Sequence, residues 1–448
     1  MKKRHKANCD CAQCRNDKSF VPPDHLVEKI RNHEVVLFAG SGISTENPDH
    51  CRSTFYDEVR YELRIKDYPP FPELMTKYCA APDGRIKLLD KIKKRLAYFA
   101  SFDDFYRPMT RFHRAIAPLY MIEDIVTTNW DDFFERECML DAFVHDSDLA
   151  FWDAAPRRVM KIHGSISNFG SIVATTQDYR RSFKRLNNGP LGAHLKSLIA
   201  RKTVIYTGYS LSDTNYLRLL RNISKMMGSA VRQSYFIAPV IDSKKLANAP
   251  VPLVPIETDG AYFFEQIRSD LSPNGEIIKD DVFHFCDGFL DKVTHCHIRT
   301  AAAYLKTHHP LLIFALGYQD GLIHALQRIA RQRKTGEYHS HARVHGLVHG
   351  YEHKLEHFLR HKDFWNAAYA QGYQNGMLLL LVTNESGSTA TPPLFEYPFP
   401  VKDAGSLAAI LRYPARKIPQ DVASQVKTLF RNFPGVTRDL IPDHTPYL

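Results

Sequence analysis

Six short apolar runs, each giving way to polar residues, govern what this chain can fold into. They are Val35 to Ala39, Ile122 to Thr127, Arg158 to Ile162, Thr203 to Thr207, Tyr235 to Pro239 and Pro252 to Glu257. Runs of this length bounded by turn formers read as buried strands. Helical periodicity fills most of the gaps, as over Ile86 to Phe99, Leu191 to Ala200 and Asp213 to Met226. Strands alternating with helices predict an α/β fold with a Rossmann-like, doubly wound parallel sheet. The stretch 40–121 is too long for a single crossover helix, so an inserted helical subdomain is expected there, covering the crevice at the strand ends.

Further along, Ser272-Pro273-Asn274-Gly275 punctuates the chain and divides an α/β domain over 21–273 from a mostly α-helical domain over 274–448. Helical patterns run over Val282 to Lys306, Leu311 to Arg333, Glu337 to His361 and Phe364 to Val382, followed by a Pro-rich tail. Glycines recur within them at Gly317, Gly321, Gly350, Gly372 and Gly376. Each costs a helix roughly 1 kcal/mol, so their recurrence predicts close helix–helix contacts. Residues 1–20 are polar and without periodicity, which predicts a flexible basic arm; Asp24 is the expected N-cap of the short helix that follows.

The chain has 448 residues, of which 44% are hydrophobic, ample for two or three buried cores. Its longest apolar run, Met377 to Val382, is far short of a bilayer span. No apolar core follows the basic start, so no secretory signal is read and a cytoplasmic protein is expected, with no membrane partner. The net charge of +10 is spread along the whole chain; its densest clusters, Lys91 to Arg95 and Arg328 to Lys334, sit on expected helices and read as solvated faces.

Two clusters carry metal-ligand chemistry. Cys9, Cys11 and Cys14 lie close to His5, but a zinc knot ordinarily uses two separated ligand pairs, and reduced thiols in a tail are the preferred reading. His341, His345, His349, His353, His357 and His361 recur at every fourth position. A polar helix face or subunit interface is preferred over a chelating stripe, because no acidic cluster of metal-ligand type accompanies it. No catalytic metal is expected.

The strand ends hold the candidate site. Val35 to Ala39 runs into Gly40-Ser41-Gly42-Ile43-Ser44, a turn whose glycines allow close backbone approach to a pyrophosphate, although the third glycine of the usual dinucleotide fingerprint is missing. Later strands end in Thr127-Thr128-Asn129-Trp130-Asp131, in His163-Gly164, and in Gly208-Tyr209-Ser210-Leu211-Ser212-Asp213, where Ser212 or Asp213 can cap the next helix. Singly, each is a common turn. Together they converge on the carboxyl edge, where open α/β sheets bind ligands.

In this order the four segments resemble the sirtuin family, and the pattern looks like the bacterial sirtuin-like NAD hydrolases of antiphage defence, which pair such a domain with a helical sensing or assembly domain. The resemblance implies NAD as substrate, Asn129 and His163 as catalytic groups, and Gly40, Ser41, Gly42, Ser44, Thr128, Asp131, Gly208 and Ser210 as the NAD-binding set. Asp131 has helix capping as its competing role. The chain departs from protein-deacylating sirtuins in having no cysteine between Cys138 and Cys286, where their zinc module lies. Glu46 to Arg52 matches the family only loosely. These departures shift the expected reaction from deacylation to NAD hydrolysis, leaving a deacylase or ADP-ribosyltransferase, a non-catalytic NAD or ADP-ribose sensor, and a nucleic-acid-guided effector subunit as alternatives. Unrestrained NAD cleavage would kill the host, so control by homo-oligomerisation or by a partner is expected: a phage-derived activator, a partner ATPase or a nucleic-acid-guided protein.

Overall fold

A computed structural model describes residues 11–46, 53–273, 275–432 and 444. The chain divides into two compact units, Met1–Asp270 and Leu271–Leu448.

The first unit is built on seven strands: β1 (Val35–Ala39), β2 (Asp124–Thr127), β3 (Asp141–Phe143), β4 (Arg158–Lys161), β5 (Thr203–Thr207), β6 (Ser234–Ala238) and β7 (Leu253–Glu257). All pair in parallel, in the order β3-β4-β2-β1-β5-β6-β7. Strand β1 is central, and every residue in it is buried. Apolar residues throughout suit a strand covered on both faces, and each large side chain so buried contributes about 1.5–3 kcal/mol. The chain moves from β1 to β2 on one side and later adds β5 on the other, so the order reverses at β1. That reversal opens a crevice beyond the carboxyl ends of the strands.

Helices cover both faces. They are α1 (Ala12–Asn16), α2 (Asp24–Arg31), α3 (Phe55–Glu62), α4 (Phe71–Cys79), α5 (Gly84–Ser101), α6 (Asp103–Met109), α7 (Arg111–Ile116), α8 (Phe133–Cys138), α9 (Thr176–Asn188), α10 (Pro190–Arg201), α11 (Thr214–Met227), α12 (Ser243–Ala247) and α13 (Gly260–Leu271). On one face Val36, Phe38, Val126, Met160 and Tyr206 pack with Leu195 and Leu198 of α10 and Leu219 and Ile223 of α11. On the other, Phe112, Phe134 and Phe264 meet edge to face, joining α7, α8 and α13. The expected insertion is α3 to α7. Its first three helices form a small core of their own from Phe55, Val59, Leu74, Met75, Leu88 and Ile92, closed by Ile172 and Ala174.

Two expectations are corrected here. The described part of the N-terminal arm is docked: Asp17 and Lys18 make ion pairs with Arg111 and Glu257, and Phe20 stacks on Phe263. Asp24 is the first residue of α2, and Pro23 holds the cap position.

The second unit contains α14 (Asp280–Thr307), α15 (Pro310–Gln332), α16 (His341–Arg360) and α17 (Phe364–Ser386). Helices α15 and α17 touch backbone to backbone. A Cβ on Gly321 would sit 2.1 Å from the Tyr369 carbonyl oxygen, and one on Gly372 would sit 1.9 Å from that of Tyr318. Gly376 and Gly317 are less crowded, a Cβ there meeting the Ala325 Cβ at 2.7 Å and the Trp365 ring at 3.0 Å, whereas Gly350 faces open space and has no such reason to be glycine. Among the described residues no helix is long and apolar enough to cross a membrane. No group of three or more His, Cys, Asp or Glu residues among them is arranged to hold a metal ion. In the histidine series, His341 pairs with Glu385 and His349 with Glu352. Cys11 Sγ accepts the Cys14 amide at 3.5 Å, while Cys9 and His5 lie outside the described residues.

Candidate active site

The strand register puts the site together. Ala39 is paired with Thr127 on one side and Thr207 on the other, and Thr127 with Lys161, so β1, β2, β4 and β5 end level. The residues after these ends are the four segments singled out in the sequence.

The loop after β1 lies directly on the turn after β5. Gly42 N donates to Gly208 O at 2.9 Å, and a Cβ on Gly40 would fall 2.4 Å from the same oxygen. Gly208 has φ +57°, and a Cβ there would be 2.5 Å from Ile43. The glycines are therefore needed first for loop-on-loop packing. Gly40 is pressed against Gly208, and Ser44 is wholly buried. Ser44 Oγ donates to Asp131 Oδ2 at 3.3 Å and accepts from Asn129 Nδ2 at 3.4 Å.

Ser41, Gly42, Thr128, Asn129, Asp131, His163, Gly208 and Ser210 all line one cavity of about 930 Å³. Small-molecule sites range over about 300–1,000 Å³, so this one is generous. Asn129 is 4% exposed, its backbone amide is anchored on Thr127 Oγ1 at 3.0 Å, and its side-chain Oδ1 has no hydrogen-bond partner among the described residues. A buried acceptor left unmatched costs about 1–3 kcal/mol, a cost that a ligand hydroxyl would relieve. Burial pushes the Asp131 carboxyl up to about 6, against the pull of Lys161. Its Oδ1 accepts the Phe133 amide at 3.3 Å, so it also steers the entry to α8. Lys161, itself buried, donates to the Asp131 carbonyl and to Glu135 Oε1, the latter at 2.8 Å.

His163 reaches the cavity over a tight turn. Gly164 has φ +87°, and a Cβ there would strike the Ser171 carbonyl oxygen at 2.2 Å. The imidazole Nε2 is 3.0 Å from Asp213 Oδ2, with both side chains less than a tenth exposed, and the Tyr179 ring packs edge-on at 5.1 Å. Burial would raise the Asp213 carboxyl, but the His163 ring and the Tyr216 and Asn215 amides outweigh it and hold it below its ordinary value. Asp213 Oδ1 accepts those two amides at 3.2 and 2.9 Å, the N-cap of α11. One carboxylate thus caps a helix and faces the histidine.

The histidine partnership went unread in the sequence, where Asp213 looked like a cap alone. The signal available was an acidic residue in the same strand-end turn as Gly208 and Ser210. Also unread were Tyr179 and the wall supplied by the insertion, where Phe55 and Phe71 each lie 6.0 Å from Trp130. Glu46 and Arg95 line the same cavity. Burial raises Glu46 to about 7 despite Arg95 at 3.5 Å. Arg95 also donates to the carbonyls of Thr45 and Ser53, at 3.2 and 3.0 Å, on either side of residues 47–52, which lie outside the described residues.

A second cavity of about 320 Å³ adjoins the first across Gly42, Gly208, Tyr209 and Ser210, and reaches the end of β6 and the start of α13. The pair forms two lobes with a glycine saddle between them.

Residues 123–250 match the model of the SIR2-like domain family. The match takes in Asn129, Asp131, His163, Gly208 and Asp213 and begins after the Gly40–Ser44 loop. The chain is similar to the defense-associated sirtuin 2 of Bacillus subtilis, 24% identical over 47% of this chain and 21% of that protein. It is also similar to the NAD(+) hydrolase ThsA of Cytobacillus dafuensis, 23% identical over 57% of this chain and 50% of that protein. The chain therefore spans between about a fifth and a half of the length of these curated relatives.

Proposed function

The chain carries a SIR2-like domain, and from that premise we propose that it is an NAD glycohydrolase, cleaving NAD to nicotinamide and ADP-ribose. The observation that carries the reading is the unpartnered Asn129 Oδ1 in the cavity that also holds the His163–Asp213 pair. A ribose hydroxyl or an attacking water supplies the hydrogen bond that Asn129 Oδ1 lacks among the described residues. The similarity to a defense-associated sirtuin and to an NAD(+) hydrolase supports NAD as substrate and defence as setting.

The two-lobed cavity suits a dinucleotide, with the pyrophosphate over the Gly42–Gly208 saddle, the adenosine in the smaller lobe and the nicotinamide riboside in the larger. The bond to be broken joins ribose C1′ to a cationic ring nitrogen, whose electron pair leaves with neutral nicotinamide, so no strong general acid is needed. Asn129 orients the ribose and the water. Water oxygen bonds to C1′ as the C1′–N bond breaks, and His163 takes the proton released from water or ribose. The imidazolium that forms is stabilised by the Asp213 carboxylate.

Loss of NAD in an infected cell is the defence outcome this reading implies, in the cytoplasm, with activity held in check by self-assembly of the chain or by a phage-derived activator, partner ATPase or nucleic-acid-guided protein. Asn129→Ala and His163→Ala test the assignment. Each is expected to abolish nicotinamide release while leaving Tm nearly unchanged; two active variants would overturn it. Turnover that rises only when acetylated peptide is added would instead favour deacylation.

A further inference from the structure

The smaller lobe has a wall that the sheet does not supply. Its floor and sides come from the ends of β5 and β6 and the start of α13, with Phe112 and Leu246 as apolar surfaces, but Gln13 and Asn16 of the N-terminal segment complete it. Little in the composition of this segment would make it pack; residues 11–19 contain no large apolar side chain. It is nevertheless fastened at Asn16, Asp17 and Lys18. Asn16 O accepts the Asp259 amide at 2.8 Å, and Lys18 O accepts Thr258 Oγ1 at 2.7 Å. Lys18 Nζ donates to Pro239 O at 2.9 Å and pairs with Glu257. Both Asp17 oxygens accept Arg111, Nη1 and Nη2 each at 3.0 Å, in the forked geometry that fixes orientation as well as distance. Arg111 is itself held by Glu265.

We propose that the segment 11–20 is a substrate-binding strap and that Gln13 and Asn16 select the adenine base at the adenosine end of the dinucleotide cavity. The inference rests on the NAD reading of the site and deepens it. A carboxamide carries a donor and an acceptor side by side, the complement of the amino group and neighbouring ring nitrogen of adenine. The anchors around Asp17 and Lys18 hold those carboxamides against the lobe, while Phe112 and Leu246 offer surfaces to the flat base. Hypoxanthine, with a carbonyl where adenine has its amino group, reverses this pattern, so carboxamides held in one orientation by the strap pair with adenine and not with hypoxanthine.

The test uses the full chain and two variants, Gln13→Ala/Asn16→Ala and the anchor variant Asp17→Ala, with AMP and IMP as calorimetric probes. The wild-type protein is expected to bind AMP at least about tenfold more tightly than IMP, and both variants to lose about tenfold in AMP affinity. With NAD, KM rises by a similar factor and kcat stays within about twofold, while cleavage of nicotinamide mononucleotide, which lacks the adenosine, is unchanged. Variants that bind AMP as the wild type does, or a wild-type protein that binds no AMP, overturn the proposal. If AMP binding depends on the strap but NAD is never cleaved, the hydrolase reading fails and the strap assignment stands.

Discussion

Replacing Asp213 by Asn separates its two roles. Asparagine caps helices as well as aspartate does, so the bonds from the Asn215 and Tyr216 amides to Oδ1 persist and Tm should stay within about 2 °C of wild type. What is removed is the negative charge 3.0 Å from His163 Nε2, between side chains less than a tenth exposed. Opposite charges this close attract by about 5 kcal/mol at an effective dielectric constant of about 20, part of which desolvation cancels. Taking about 2 kcal/mol, realised as the imidazole gains its proton, kcat should fall about thirtyfold. Neither group is expected to bear on ground-state affinity, so KM should hold within about twofold. Steady-state release of nicotinamide, followed by chromatography across a range of NAD concentrations, measures both constants. There is a stability corollary. The fold holds Asp213 below its ordinary value, so its contribution is present above that value and fades as pH falls through the depressed one. The variant lacks this acid-side loss. A variant with wild-type kcat would refute the role given to Asp213.

Glu46 titrates in the opposite sense. Its pKa rises from 4.5 to about 7 in the fold, so stability declines as pH climbs through that window, and Glu46→Gln should gain Tm over wild type at pH 8 but not at pH 5, by on the order of 1–3 kcal/mol. Gly164→Ala places a Cβ 2.2 Å from a carbonyl oxygen at φ +87°, and thermal denaturation should register a loss of about 3 kcal/mol or more. In the helical unit, Gly350→Ala should stabilise by about 0.5–1 kcal/mol, whereas Gly372→Ala should cost several times that, as measured by denaturant titration.

The site's parts were legible where chemistry is local. Val35 to Ala39 could hardly be anything but a buried central strand, and its glycine turn, Asn129, His163 and Gly208 each stand at a strand end that the apolar pattern located. What stayed hidden depends on register between distant segments. His163 meets Asp213 only because β4 and β5 reach the same edge, and Ser44 is turned inward because Asn129 and Asp131 come to lie beneath its loop. Strand β3 is three residues at the sheet edge beginning with an exposed aspartate, too short and too polar to register as an apolar run. The described part of the N-terminal arm carries no periodicity because ion pairs and backbone bonds anchor it, and its partner Arg111 lies far along the chain. The glycines of α15 and α17 did announce close packing, and Gly350 shows that the same residue in a similar setting can carry no such meaning.

The most direct test of the account is a product balance: purified wild-type chain and Asn129→Ala incubated with NAD, with nicotinamide and ADP-ribose quantified together. The account predicts equal amounts of the two products from the wild type and neither from the variant; intact NAD in both reactions, or nicotinamide without matching ADP-ribose, would contradict it.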